Sequence, residues 1–320
     1  MNIKDSFAKA KRIGLFDSGL GGLSVLKQLL MLPALNDMGD ICEKNQNSPS
    51  KLKSHKKEFV YFADTARCPY GGRSQGEIEQ FVGQIVQWLA QNDVDLVIMA
   101  CNTSAALVEP ARRTGFTLPM IDLLHSTGDI VQKNAYKRIG VMATMATAKT
   151  KAFSKAIEKK QPQAEVFELA CPDLVPLVES NKTKSREAVE ALSPYAKELI
   201  AHNVDAIIYG CTHFPFLHES MRRCLIELNA QQTEMIDPAV CLSEELLGMS
   251  LTNMQMYPPD FADLNNRCRF VTTGNIETFR IGINNNLGLP FTQIEHLSVG
   301  ELAVGETNKS RNNSASNIQL

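Results

Sequence analysis

The chain has 320 residues, 44% of them hydrophobic and 21% charged, with a formal charge of −2 at pH 7. Such a composition belongs to an ordinary globular protein of about two domains, and a charge this small predicts neither nucleic-acid nor anionic-membrane binding. No secretory h-region or membrane-length apolar run is present, and eight cysteines without a C-x-x-C pair point to free thiols in a reducing cytosol rather than to zinc or thioredoxin-like chemistry.

Residues before Arg12 read as a short polar lead-in, and Arg12-Ile13-Gly14-Leu15-Phe16 as a first strand. Asp17-Ser18-Gly19-Leu20-Gly21-Gly22 is a glycine-rich turn, after which Leu23, Leu26, Leu29 and Leu30 recur at helical spacing. Strand, glycine-rich turn and helix suit anion binding at a helix N-terminus. The simpler alternative is a tight turn with Asp17 capping the helix. The glycines do not form G-x-G-x-x-G, so a dinucleotide site has little support. Residues 36–57 are polar, carry Cys42 and read as an inserted surface loop. Glu58-Phe59-Val60-Tyr61-Phe62 is a second strand leading into Asp64-Thr65-Ala66-Arg67-Cys68-Pro69-Tyr70-Gly71-Gly72-Arg73. A loop with Arg, Tyr and Cys at a strand end suits ligand binding; the alternative is a structural turn with Tyr70 packed underneath. Ile78, Phe81, Val82, Ile85, Val86 and Leu89 mark an amphipathic helix.

Val94-Asp95-Leu96-Val97-Ile98-Met99-Ala100-Cys101-Asn102-Thr103 recurs, altered, as Val204-Asp205-Ala206-Ile207-Ile208-Tyr209-Gly210-Cys211-Thr212-His213. Each copy is a buried-strand pattern that ends on a cysteine and runs into a helical pattern. Open α/β sheets bind ligands at that edge, and a helix N-terminus favours thiolate over thiol. Lys11-Arg12-Ile13-Gly14-Leu15 likewise matches Lys137-Arg138-Ile139-Gly140-Val141, and Pro119-Met120-Ile121-Asp122 matches Glu234-Met235-Ile236-Asp237. The expected fold is therefore α/β, with two similar open parallel-sheet domains related by a pseudo-twofold axis and the active site in the cleft between them. The first takes 1–122 plus 236–320, the second 123–235, and 308–320 forms a polar disordered tail.

In the second copy Thr144 and Thr147 stand where the glycine-rich turn stood, as helix caps or as donors to a substrate carboxylate. Glu179 ends the apolar segment Leu174-Val175-Pro176-Leu177-Val178. An apolar setting raises a carboxyl pKa and suits it to proton relay, whereas a solvated helix residue is the plain alternative. His213, two residues past Cys211 at a ligand-binding edge, reads as its proton partner, with a structural histidine beside an apolar segment as the alternative.

In Gly14-Leu15-Phe16-Asp17-Ser18-Gly19-Leu20-Gly21-Gly22-Leu23, the Ala66-Arg67-Cys68-Pro69-Tyr70-Gly71 loop and both cysteine motifs, the sequence resembles the bacterial glutamate racemases of the aspartate/glutamate racemase superfamily. The resemblance covers roughly 12–299. Phe270-Val271-Thr272-Thr273-Gly274-Asn275 also resembles the family's C-terminal segment, while Gly72, the 36–57 insertion and the tail depart from it.

The resemblance implies cofactor-independent, metal-free racemisation of glutamate, D-glutamate for peptidoglycan, a cytoplasmic location and a homodimer. It implies that Cys101 deprotonates D-glutamate and Cys211 L-glutamate. Asp17 would assist the first, and Glu179 and His213 the second. Asp17, Ser18, Pro69, Tyr70, Gly71, Asn102, Thr103, Thr144, Thr147, Thr212 and His213 would hold the substrate.

Physical chemistry is compatible with those roles. No lysine stands at either strand end for a Schiff base, so the carbanion-like transition state must be stabilised by preorganised hydroxyl and amide donors. Three rivals remain: an aspartate racemase, disfavoured by Thr212-His213; a nucleotide-binding regulatory protein, disfavoured by the paired cysteines; and a cysteine hydrolase using Cys211 and His213, which leaves Cys101 unexplained.

Overall fold

The computed structural model describes residues 3–32, 57–108, 113, 115–116, 118–248, 250–251, 265–288, 291 and 293–303. Apart from Lys57, the insertion expected at 36–57, with Cys42, lies outside the described residues, as does the tail 308–320.

Alternating strands and helices build two parallel sheets. The first contains β1 (Arg12–Asp17), β2 (Glu58–Ala63), β3 (Leu96–Met99) and β4 (Met120–Asp122) in the order β2-β1-β3-β4. The second contains β5 (Arg138–Ala143), β6 (Glu165–Ala170), β7 (Ala206–Gly210) and β8 (Glu234–Ile236) in the equivalent order β6-β5-β7-β8. The later strands β9 (Cys268–Thr272) and β10 (Ile294–His296) extend the first sheet beyond β2. β3 and β7 are buried throughout, which is why each reads as a continuous apolar run rather than an alternating one.

The repeat extends to the hydrogen bonds that set strand register. Asp95 Oδ2 accepts from the backbone amides of Lys11 at 2.8 Å and Arg12 at 2.9 Å. Asp205 Oδ2 accepts from those of Lys137 at 2.7 Å and Arg138 at 2.9 Å. Arg12 pairs with Glu58 across β1 and β2, and Arg138 with Glu165 across β5 and β6.

Helices α1 (Ile3–Lys9), α2 (Leu23–Met31), α3 (Gln75–Gln91) and α4 (Asn102–Leu107) accompany the first sheet's leading strands. Ser74 and Glu77 start α3 with a reciprocal capping box, satisfying amides that the first turn cannot pair internally. Helices α5 (Leu124–Asn134), α6 (Met145–Thr150), α7 (Ala152–Glu158), α8 (Leu174–Glu179), α9 (Arg186–Ala201) and α10 (His218–Glu227) accompany the second. After β8 the chain forms α11 (Pro238–Leu247), which packs on α2 and α5 and so touches elements of both halves; α12 (Ile276–Leu287) then follows β9. One apolar cluster is continuous across the junction, joining Val97 and Met99 to Ile139 and Val141. Among the described residues no helix is long and apolar enough to cross a membrane.

The strand order positions the site. The chain leaves β1 toward β2 on one side and reaches β3 on the other, so a crevice opens at the carboxyl ends of β1 and β3. The same reversal occurs between β5 and β7. Asp17 and Cys101 stand at the first crevice, Thr144 and Cys211 at the second.

Candidate active site

Asp17 is the last residue of β1 and is fully buried. Its Oδ1 accepts from the Gly19 amide at 2.9 Å, so Asp17 closes its own turn. It does not cap α2, whose N-cap is Gly22 without a side-chain bond, and the expected helix-capping role is corrected accordingly. The turn carries glycines because the other half lies against it. A Cβ on Gly21 would stand 2.4 Å from Thr212 Oγ1 and 2.5 Å from His213 Nδ1, and one on Gly19 would stand 2.4 Å from Glu179 Oε1.

Cys101 is the N-cap residue of α4, in extended conformation, and its thiol makes no capping bond. Asn102 and Thr103 form the first turn of that helix and are buried. Both polar atoms of the Asn102 amide lack a hydrogen-bond partner among the described residues. A buried amide left open in this way is a donor and acceptor pair held ready for a ligand.

Across the junction Thr144 caps α6 by accepting from the Thr147 amide at 3.3 Å. Its hydroxyl also meets those of Thr103 at 2.9 Å and Thr147 at 3.0 Å. The cap and the inter-sheet contact thus coexist on one side chain. Cys211 follows β7. Thr212 Oγ1 donates to Asp17 Oδ2 at 2.9 Å, and Ser24 Oγ donates to the Thr212 carbonyl at 3.2 Å.

His213 joins the second cysteine to an acid. Its Nδ1 lies 3.7 Å from Cys211 Sγ, and its Nε2 lies 2.6 Å from Glu179 Oε1. The same carboxylate oxygen accepts from the Leu20 amide at 3.0 Å, tying the end of α8 to the first half's turn. Glu179 is therefore not a solvated helix residue.

Pro69 precedes the short 3-10 turn Tyr70–Gly72. The Tyr70 ring is 1% exposed, and its hydroxyl donates to Asp64. Arg67 and Thr273 donate to the same carboxylate at 2.6 and 2.8 Å, so the loop is fastened to the segment after β9. What the loop brings to the junction is Gly71, where a Cβ would stand 2.9 Å from Thr144 Cβ. Ser18 is buried, and its side chain acts downward on the Cys68 thiol, which burial pushes up to about 12.

The two cysteine surroundings differ electrostatically. Burial raises the Asp17 carboxyl pKa, against the opposing charge of His213. Burial and the Asp17 charge push the Cys101 thiol up to about 11. Ser104, in the first turn of α4, acts downward on the thiol, but burial outweighs it, the reverse of the thiolate expected at a helix N-terminus. Burial also acts upward on Glu179, but the hydrogen bond and charge of His213 hold its carboxyl below the usual range, the reverse of the raised value expected from an apolar setting. Burial acts downward on His213, yet its bonds to Cys211 and Glu179 hold the imidazole well above its usual value. One side thus carries a carboxyl that readily takes a proton, the other an imidazolium–carboxylate pair.

Residues 44–246 match the Asp/Glu/Hydantoin racemase family. A glutamate racemase from Gloeothece citriformis is 40% identical over 274 residues, covering 83% of this chain and 85% of that protein. The chain belongs to the glutamate racemase family. A glutamate racemase from Gloeobacter violaceus is 32% identical, covering 92% of this chain and 99% of the relative. The crystal structure of glutamate racemase from Francisella tularensis in complex with D-glutamate superposes with a TM-score of 0.71 at 27% identity, over 90% of this chain and 97% of that one.

Several residues that shape this glutamate racemase site take no role from a sequence motif. Asp64 gathers Tyr70, Arg67 and Thr273, and Ser24 links the two halves. Cys68 lies close to both Glu179 and His213 although it sits in a loop already singled out. Only its residue type, a thiol in a ligand loop, was a signal.

Proposed function

We infer that the chain interconverts L-glutamate and D-glutamate by two-base proton transfer at the α-carbon, with no cofactor. The observation that carries this reading is the pairing of corresponding strand ends: Cys101 after β3 and Cys211 after β7, linked through the Asp17–Thr212 bond of 2.9 Å.

In the L-to-D direction the Cys211 thiolate takes the α-proton, and the electron pair is left on the α-carbon and its carboxylate. The Cys101 thiol then delivers a proton to the opposite face. Cys211 ends as thiol and Cys101 as thiolate, so both must exchange protons before the next turnover. Asp17 serves that exchange for Cys101, and His213 with Glu179 serves it for Cys211. The substrate ammonium, entering beside Asp17, supplies the positive charge that the buried Cys101 thiol otherwise lacks for ionisation.

Developing charge on the substrate carboxylates is met by Ser18, Asn102, Thr103, Thr144, Thr147 and Thr212 together with Pro69–Gly71 backbone. The open Asn102 amide is the strongest support for an anion held there. Because these side chains are nearly all buried, substrate enters only if the 123–235 body and the 1–122 plus 236–320 body separate and then close. The enzyme acts in the cytoplasm as a homodimer, and its D-glutamate feeds bacterial peptidoglycan.

Incubation with L-glutamate in D2O without cofactor tests the reaction by proton NMR and chiral analysis. The expected outcome is loss of the α-proton signal with formation of D-glutamate. Turnover of L-aspartate with none of L-glutamate would overturn the substrate assignment.

A further inference from the structure

Beside the Glu179–His213 proton chain of Cys211 lies the Cys68 thiol, to which this mechanism gives no task. A ligating atom of each of Cys68, Glu179 and His213 lies within 4.8 Å of the other two. Cys68 comes from the loop after β2, Glu179 from the end of α8 and His213 from the segment after β7, so the cluster spans both halves. No spacing motif foreshadows it, because the residues are far apart in the chain. Gly19 packs tightly against them, since a Cβ there would stand 2.4 Å from Glu179 Oε1 and 3.2 Å from Cys68 Sγ, so the backbone of the first half's turn closes one side of the cluster.

We propose that Cys68, Glu179 and His213 form an inhibitory binding site for zinc or a similarly soft divalent cation, closing the junction and silencing the active site. Thiolate, imidazole and carboxylate together are a donor set that Zn2+ takes. Bond lengths of about 2.0–2.3 Å bring tetrahedral donors to within about 4 Å of one another, so the separations here need only small side-chain rotations.

Charge favours the same ion. A thiolate and a carboxylate neutralise a dication, so the complex enters a buried site without net charge. Binding displaces the Cys68 thiol proton and the proton shared by His213 and Glu179, and both leave to solvent. The imidazole then holds metal through Nε2 and no longer passes protons between Cys211 and Glu179. The ion also links the Cys68 loop to α8 and His213, and so opposes opening. The inhibitory part rests on the racemase reading above; the binding part does not.

Titration of the purified protein with Co2+ tests binding directly, through the thiolate-to-cobalt charge-transfer band and its displacement by Zn2+. The expected result is a stoichiometric band in the wild type that is lost in Cys68→Ser, with affinity at least about tenfold lower in Cys68→Ser and in Glu179→Gln. In racemase assays Zn2+ should inhibit the wild type reversibly, with chelator restoring activity. Cys68→Ser should keep basal turnover and need at least about tenfold more Zn2+ for equal inhibition. Absence of a band, a band unchanged in Cys68→Ser, or equal Zn2+ sensitivity of that variant would overturn the assignment. Should glutamate prove not to be the substrate, the cobalt spectrum still decides whether the site exists.

Discussion

Asp17 Oδ2 accepts a hydrogen bond from Thr212 Oγ1 at 2.9 Å, and this bond connects the carboxyl end of β1 in one sheet to the residue after Cys211 at the other. Asp17 is fully buried, so a lost donor is not replaced by water. Thr212→Val should cost about 1–3 kcal/mol in denaturant unfolding, the usual penalty for a buried acceptor left unpaired. Thr212→Ser, which keeps the hydroxyl, should recover most of it. Equal stability of the two variants would show that the bond does not hold the junction.

Asp17→Asn separates the electrostatic and catalytic effects of this carboxylate. The Asp17 charge is one of the causes that raise the Cys101 thiol, so its removal should let that thiol ionise at lower pH. Alkylation of Cys101 at a fixed pH should therefore be faster in the variant. Turnover should nonetheless fall by about 10²–10⁴, because the proton acceptor beside Cys101 is gone. Faster alkylation with unchanged turnover would remove Asp17 from the proton path.

The Glu179–His213 pair gives a pH signature. Glu179 is held below its ordinary value of 4.5, so its contribution is complete above that value and is lost as pH falls through the depressed one. His213 is held above its ordinary 6.5, so its contribution is complete below that value and is lost as pH rises through the raised one. The stability gap between wild type and Glu179→Gln should be widest between pH 4.5 and 6.5, at about 2 kcal/mol, and should narrow on both sides. Thermal unfolding of both proteins across pH measures this gap; a flat difference would mean that the pair is not ionised in the fold.

Gly21→Ala probes closure. The added methyl would meet Thr212 Oγ1 at 2.4 Å and His213 Nδ1 at 2.5 Å, contacts that force one half away from the other. The expected outcome is a drop in kcat/KM of at least about tenfold with the circular dichroism spectrum unchanged, since a 1 Å misplacement of reacting groups costs on the order of 10²-fold. Wild-type kinetics would show that this turn does not seat against His213 during turnover.

Much of this architecture is legible in the sequence because local physics and global fold agree there. The runs before Cys101 and Cys211 read as buried strands, Asp95 and Asp205 recur before them, and the sheets share the order β2-β1-β3-β4 and β6-β5-β7-β8. The electrostatics are not legible in the same way, because they depend on contacts between distant segments. Glu179 looks like a carboxyl in an apolar setting until His213 is found 2.6 Å away. Cys101 looks activated by its helix until burial and Asp17 are counted against it. The loop around Tyr70 reads as a ligand loop, yet its phenol is bound to Asp64 and Gly71 is the part that faces Thr144. Cys68 draws attention only when three segments come together in space.

The most direct test of two-base racemisation is the turnover of folded Cys101→Ala and Cys211→Ala with each enantiomer of glutamate, followed by circular dichroism polarimetry. If one cysteine serves each face of the α-carbon, both variants lose at least about 10²-fold in both directions, because inversion needs both groups. Wild-type racemisation by either folded variant would contradict the account.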